Sequence, residues 1–144
     1  MKSGKIIIAS LLAVFLLTGC ASKESKLTCT QTTSGVDVIF IVDFKGNVID
    51  NMDINYNMDL SKYSDAQIEA VGKQDFCSSV KNAFGSYKEA FNNCKQNIAD
   101  KKLEVTADLE IEKVSDSILD KLASPEAAKE ELEDEGYTCT LETK

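Results

Sequence analysis

The chain of 144 residues contains no histidine, and this absence excludes much of the commonest enzyme chemistry. Histidine is the usual general base near neutral pH and the partner of nucleophilic serine or cysteine in catalytic pairs. It is also a common zinc ligand. The composition therefore predicts a protein that is not an enzyme and that uses neither a cofactor nor a metal.

Arginine is absent as well, so all 16 basic residues are lysines, against 24 acidic residues. Arginine is the side chain best suited to bidentate binding of carboxylates and phosphates, so an anion-binding site is not expected. The first 19 residues carry two lysines and no acidic residue, so the remainder has a formal charge of −10, compared with −8 for the whole chain. Such an acidic domain is repelled by nucleic acid, and we expect no nucleic-acid partner.

An apolar run covers residues 6–17 and follows Lys2 and Lys5. It is shorter than the roughly 20 residues that a spanning helix needs, and it has the charge and length of a secretory signal peptide. Leu-Thr-Gly-Cys at residues 17–20 resembles the lipobox of bacterial lipoproteins. The resemblance implies cleavage before Cys20 and attachment of lipid to it. The alternative is a plain secretory peptide followed by an ordinary cysteine.

These signals predict the organisation of the chain. We expect a signal peptide over residues 1–19, a lipidated cysteine with a short tether over residues 20–26, and a single domain over residues 27–144. Two acyl chains anchor a protein stably, whereas one binds only marginally. The predicted location is therefore the bacterial cell membrane, on its extracytoplasmic side, with the domain held close to the lipid.

Four cysteines remain beyond Cys20, namely Cys29, Cys77, Cys94 and Cys139. An even number of thiols in an exported chain indicates two disulfides, for which three connectivities exist. Zinc is disfavoured because the sequence contains neither a C-x-x-C pair nor a histidine. The first and last of these cysteines lie within the predicted first and last strands, so we expect them to pair, which leaves the middle two for each other.

An early antiparallel meander is predicted by alternating apolar residues. Its strands cover residues 27–31, 36–44 and 48–60. The second is apolar on both faces at its centre, with Phe40 and Val42 on one side and Ile39 and Ile41 on the other. Short turns such as Lys-Gly-Asn at residues 45–47 join these strands.

The middle of the chain allows two interpretations. Apolar residues recur at helical spacing after Ser64, which begins a capping-box pattern with Gln67. One helix continuing to residue 98 would be about 50 Å long, which is too long for a domain of this size. We therefore expect the helix to end near Phe91, with a hairpin formed by residues 93–98 and 103–111.

The last part of the chain predicts two more helical segments and a strand. A short helical turn is expected over residues 116–122, and Ser124 and Pro125 then have the residue types of an N-cap and a first helical position. Gly136 ends that helix, and residues 137–141 form a closing strand. The prediction is an α+β fold, in which helices pack on one face of an antiparallel sheet.

The chain resembles the YehR-like small bacterial lipoproteins over most of its predicted domain. The shared pattern comprises the lipobox, the strand meander, a helix, the Asp-Lys-Lys-Leu-Glu-Val-Thr segment at residues 100–106, and the Ser-Pro-Glu helix at 124–126 that leads into Leu-Glu-Asp-Glu-Gly-Tyr at 132–137. The resemblance implies a compact α+β lipoprotein without an established activity, and it provides no site residues.

Candidate chemistry is confined to carboxylates. Asp50, Asp53 and Asp59 lie along the third strand, where a solvated face is the favoured interpretation and a calcium site the disfavoured one. The acidic run at residues 130–135 falls late in a helix, where it opposes the helix dipole, and it indicates a solvated face or a docking face for a basic partner. The four tyrosines are too dispersed to predict a common binding platform.

Three functional classes follow. The first is a non-catalytic, membrane-anchored lipoprotein that binds a partner protein or a component of the cell envelope. The second is a small-molecule or ion-binding lipoprotein that serves a membrane transporter, which requires a pocket between sheet and helices. The third, an enzyme that uses carboxylates, is disfavoured by the composition.

Overall fold

The computed structural model describes residues 23–144. The predicted signal peptide and Cys20 lie outside the described residues. The six strands, both disulfides and the buried core all lie within this segment. Residues 23–144 therefore contain one six-stranded sheet and one hydrophobic core.

Six antiparallel strands form one sheet in the order β4-β5-β3-β2-β1-β6. The strands are β1 (Glu24–Thr33), β2 (Val36–Lys45), β3 (Val48–Asp59), β4 (Phe91–Ala99), β5 (Lys102–Leu109) and β6 (Thr138–Thr143). Four α-helices accompany them within the described segment: α1 (Asp65–Gly72), α2 (Phe76–Ala83), α3 (Asp116–Lys121) and α4 (Pro125–Asp134). The predicted α+β fold is confirmed.

One face of the sheet carries the hydrophobic core. Strand residues point alternately to the two faces, and alternate positions such as Leu27, Phe44, Ile54 and Val105 are almost completely buried. The helical layer covers this face and contributes further buried side chains, namely Val80, Leu122, Ala128 and Leu132. On the other face, Ile39 and Ile41 of β2 are half-buried. Because each face of β2 is at least partly removed from water, the strand is apolar on both sides.

Strand β1 begins at Glu24, so the predicted tether over residues 20–26 is too long. Glu24 to Lys26 pair with β2 on one side and Ser25 and Lys26 pair with β6 on the other. Residues 24–26 lack the apolar alternation that indicates a strand, and the two neighbouring strands supply the stabilising backbone pairing instead. Lys23 is also fixed, because its carbonyl oxygen accepts a hydrogen bond from the Gly46 N–H at 2.7 Å.

The single helix predicted from Ser64 to about Phe91 is wrong, since the structure divides it into three pieces. Helix α1 ends before Lys73, α2 begins after its N-cap Asp75, and a 3₁₀-helix covers Gly85–Ala90. The break is stabilised by Gln96 of β4, whose side chain accepts a hydrogen bond from the Phe76 N–H at 2.9 Å. The same side chain donates to the Gln74 carbonyl at 2.8 Å.

The predicted caps in the helical regions are present. Ser64 and Gln67 form the capping box of α1. The Ser124 hydroxyl accepts from the Ala127 N–H at 3.1 Å, with Pro125 at the start of α4. After α4 the chain turns at Gly136, whose φ of +97° favours glycine. The predicted end of β5 at Ile111 is wrong, because a 3₁₀-helix occupies Ile111–Lys113.

Two disulfides are present, and they join the pairs expected from the strand assignments. Cys29 and Cys139 lie opposite each other on β1 and β6, with Cα atoms 4.0 Å apart. Cys77 of α2 is bonded to Cys94 of β4, with Cα atoms 5.8 Å apart. The first bond joins the two ends of the domain, and the second attaches the helical layer to an edge of the sheet.

The two bonds differ in the loops they close, which span 110 and 17 residues of separation. We expect the double change of Cys29 and Cys139 to serine to lower the free energy of unfolding by about 4 to 5 kcal/mol. The reason is that a disulfide that closes a longer loop removes more conformational entropy from the unfolded chain. Changing Cys77 and Cys94 to serine should cost about 3 kcal/mol by the same relation. Denaturant unfolding measures both values. Equal losses, or a larger loss for the second pair, would contradict this account.

Candidate ligand-binding cleft

A cleft of about 420 Å³ lies between the core face of the sheet and the helices. Its floor is formed by residues of β2 and β3, and its sides by α2, α3, α4 and the residues that follow them. The lining side chains are Phe40, Val42, Met52, Ala83, Phe84, Tyr87, Ser117, Ile118, Lys121, Leu122, Glu131, Leu132, Glu135 and Tyr137. The volume lies in the range of small-molecule sites, and the walls are mainly apolar.

Phe84 organises the aromatic part of the cleft. It follows α2 directly as its C-cap, and its ring contacts those of Phe40, Tyr87 and Phe91, with centroids 6.0, 6.2 and 5.7 Å away. Most of these contacts are edge-to-face, an arrangement that aromatic pairs prefer. The ring of Tyr137 completes the wall at 5.4 Å from that of Phe40.

Gly136 places Tyr137 against this cluster. Its left-handed backbone lets the chain leave α4 and enter β6, and the Tyr137 N–H donates to the Leu132 carbonyl at 3.0 Å. A Cβ atom at position 136 would also approach the Gln31 side chain at 3.0 Å. Gly136 therefore ends α4 and lets Tyr137, the next residue, line the cleft.

Three charged side chains surround the opening of the cleft. The Lys121 ammonium group lies 2.6 Å from a carboxylate oxygen of Glu131 and joins α3 to α4. Glu135 follows α4 on the same side of the helix, four residues after Glu131. The opening therefore carries two carboxylates and one ammonium group.

The tyrosines near the cleft respond to burial and to these charges. Burial raises the pKa of Tyr56 to about 12, and Tyr137 adds a smaller contribution. Burial also raises the pKa of Tyr87 and Tyr137, and the negative charge of Glu135 raises both further. Lys121 acts on Tyr87 in the opposite direction. The side of the cleft next to Tyr87 is thus apolar, with an excess of negative charge.

The carboxylates singled out in the third strand do not form one site. Asp50 pairs with Lys45 at 3.0 Å, and Asp59 accepts a hydrogen bond from the Ser61 N–H. Asp53 lies on the face opposite the core, next to Asp108 of β5. Burial is the main cause of its raised pKa. Among residues 23–144, the structure contains no group of three or more cysteines or carboxylates that could hold a metal.

The acidic run at residues 130–135 contributes two of its members to the cleft. Glu131 and Glu135 line the opening, whereas Glu133 lies 3.9 Å from Lys129 on the outer side of the helix. The tyrosines that looked dispersed in the sequence partly converge, since Tyr87 and Tyr137 line the cleft and Tyr56 contacts Phe84 at 6.1 Å. The helical spacing of Phe84 and Tyr87 was the only local signal for this site.

The remaining residues singled out in the sequence are the five cysteines. The four domain cysteines are in disulfides, and Cys20 is outside the described residues.

No helix within residues 23–144 is long and apolar enough to cross a membrane. Comparison of the chain with protein-family models, curated proteins and solved structures found no match.

Alkaline titration provides a test of the cleft electrostatics. Since Tyr56, Tyr87 and Tyr137 have raised pKa values in the folded protein, the folded state holds their protons more tightly than the unfolded state. The protonated tyrosines should make their full contribution to the free energy of unfolding below about pH 10. This contribution should decrease as the pH rises towards 12, which is about the pKa of Tyr56. Absorbance at the tyrosinate band and denaturant unfolding, measured over this interval, check the two effects.

Tyr56→Phe is the matched variant for this titration. It removes the hydroxyl group whose pKa is raised to about 12 while leaving the ring against Phe84. Its tyrosinate absorbance should lack the step near pH 12. An unchanged titration curve would contradict the burial described for Tyr56.

Proposed function

We propose that the protein is a membrane-anchored, extracytoplasmic lipoprotein that binds a small, largely apolar ligand in the cleft without catalysing a reaction. The observation that carries the proposal is the aromatic-lined cleft of about 420 Å³ between sheet and helices. A pocket in this position is the requirement of the second functional class, a small-molecule-binding lipoprotein that serves a membrane transporter. The lipobox at residues 17–20 supports the anchor, and the resemblance to the YehR-like lipoproteins remains part of this proposal.

The structure gives less support to a partner protein as the first choice. A protein-binding surface is expected to expose a contiguous apolar patch of several hundred Å². Among the described residues, the exposed large apolar side chains are Val48, which is 69% exposed, and Tyr63, which is 42% exposed. Val48 is the first residue of β3 and Tyr63 follows its last residue, and the 12 residues of the strand span about 40 Å, so the two side chains belong to different surfaces.

A non-catalytic role agrees with the chemistry of the cleft. A carboxyl group acting as a general acid is usually kept protonated by apolar surroundings. Glu131 is instead bound to an ammonium group, and Glu135 is exposed at the opening. The described carboxylates of the cleft therefore lack the environment that acid catalysis requires.

Binding of N-phenyl-1-naphthylamine, a neutral apolar probe that fluoresces in apolar sites, tests the cleft. We expect one probe per chain in the protein comprising residues 20–144, with Cys20→Ser to prevent lipidation. Ala83→Trp should reduce the affinity at least tenfold, because Ala83 is exposed at the cleft and its enlargement fills the space.

Ala70→Trp is the matched control, since Ala70 is an exposed alanine of α1 outside the cleft. It should bind the probe as the unchanged protein does. Equal affinity in the Ala83→Trp and Ala70→Trp proteins would show that the probe binds elsewhere, and absence of binding to the unchanged protein would overturn the proposal.

The anchor determines which end of the domain faces the membrane. Lys23 is held to Gly46 in the turn between β2 and β3, and three residue steps separate it from Cys20. An extended chain of that length spans about 11 Å. This turn, with the exposed Val48 beside it, is therefore the part of the domain closest to the lipid.

Tryptophan fluorescence tests this orientation, because the chain contains no tryptophan of its own. In the lipidated protein inserted into vesicles, brominated phospholipids should quench the emission of a Val48→Trp variant. They should leave that of a Tyr63→Trp variant unchanged, since Tyr63 lies beyond the opposite end of β3. Equal quenching of the two variants would contradict the orientation, and no quenching of Val48→Trp would contradict the close approach to lipid.

A further inference from the structure

The charges of the cleft favour one class of ligand over others. Glu131 and Glu135 face the single ammonium group of Lys121, and that group is already bound to Glu131 at 2.6 Å. The Glu131 side chain is only 31% exposed, so its charge is partly shielded from water. Charges in such surroundings are screened less by salt than fully exposed ones. A ligand group entering here meets an excess of negative charge.

The aromatic walls act in the same direction. Phe40, Phe84, Tyr87 and Tyr137 lie together around the cleft, with neighbouring centroids 5.4 to 6.2 Å apart. The face of an aromatic ring attracts a cation within about 6 Å of its centroid. An ammonium group placed between these rings and the two carboxylates would be stabilised by both.

An anionic ligand finds no comparable partners. Lys121 is the only basic residue that lines the cleft in the described structure, and an anion there would have to compete with Glu131. Arginine, which binds carboxylates and phosphates in bidentate fashion, is absent from the chain.

We infer that the cleft selects a small organic cation, an ammonium group carried on an apolar body. The apolar part lies over Val42, Met52 and Leu132, and the charged part lies near Glu135 and the tyrosine rings. This inference rests on the proposed function, because it specifies the ligand class of the same cleft.

Three probes with the same apolar body test the inference. They are 4-phenylbutylamine, which is cationic, 4-phenylbutanol, which is neutral, and 5-phenylpentanoate, which is anionic. Each competes with N-phenyl-1-naphthylamine for the protein of residues 20–144 carrying Cys20→Ser. We expect the amine to bind about tenfold more tightly than the alcohol, as a cation–aromatic interaction combined with a nearby carboxylate suggests. The carboxylate probe should bind most weakly.

Glu135→Gln removes one carboxylate from the opening, and Glu130→Gln is the matched control at an exposed position of α4, outside the cleft. The first variant should reduce the preference for the amine over the alcohol several-fold, and the second should leave it unchanged. Added salt should also reduce the preference, because it screens the charge attraction. Both variants alter exposed side chains, and a cooperative thermal transition with both disulfides intact confirms that they fold.

The outcomes separate this inference from the proposed function. Equal affinity for amine and alcohol, or a preference for the anion, would overturn the cation preference while leaving a binding cleft in place. A preference for the amine that Glu135→Gln and Glu130→Gln reduce equally would also overturn it, since it would come from the overall negative charge. Failure of the reporter probe and all three competitors to bind would overturn the proposed function itself.

Discussion

The pairing of the first strand with the last is the constraint on which the rest of the structure depends. Cys29 and Cys139 join these strands at directly opposed positions, and both side chains are buried in the core. Because α4 immediately precedes β6, this pairing also places α4 over the sheet. It thereby brings Tyr137 against Phe40 of β2 and completes one wall of the cleft. The buried Ala128 and Leu132 of α4 then pack against the same face of the sheet.

The cleft exists because the helical layer is made of short pieces. Helix α1 has no buried residue, and α2 and α4 bury side chains on only one side. Four helices of 6 to 10 residues cannot cover the face of a six-stranded sheet without gaps. The gap left over β2 and β3 is bordered by aromatic residues at helix ends, and helix ends are where charged side chains such as Lys121 and Glu135 are also found.

Sequence patterns predicted the strands and the caps well because those features have local physical causes. Alternation in β2, β3 and β5 reflects their half-buried faces, and Ser64 and Ser124 are caps whose hydrogen bonds stay within four residues. The start of β1 and the break between α1 and α2 were missed. Both depend on distant partners: β6 and β2 in the first case, and Gln96, some 20 residues away, in the second.

The sequence by itself determined the α+β class and the acidic, lysine-only charge of the protein. These follow from periodicity and composition, neither of which requires knowledge of contacts between distant residues. The cysteine positions favoured two disulfide pairs among three connectivities, and the structure shows that these pairs are formed. Only the tertiary structure decided that Phe40, Phe84, Tyr87 and Tyr137 meet in one cleft and that Glu131 and Glu135 border it. These residues come from β2, from the C-cap of α2 and the 3₁₀-helix after it, and from α4 and the residues that follow it. Their convergence is therefore set by strand order and helix docking, which leave no local periodic signal in the chain.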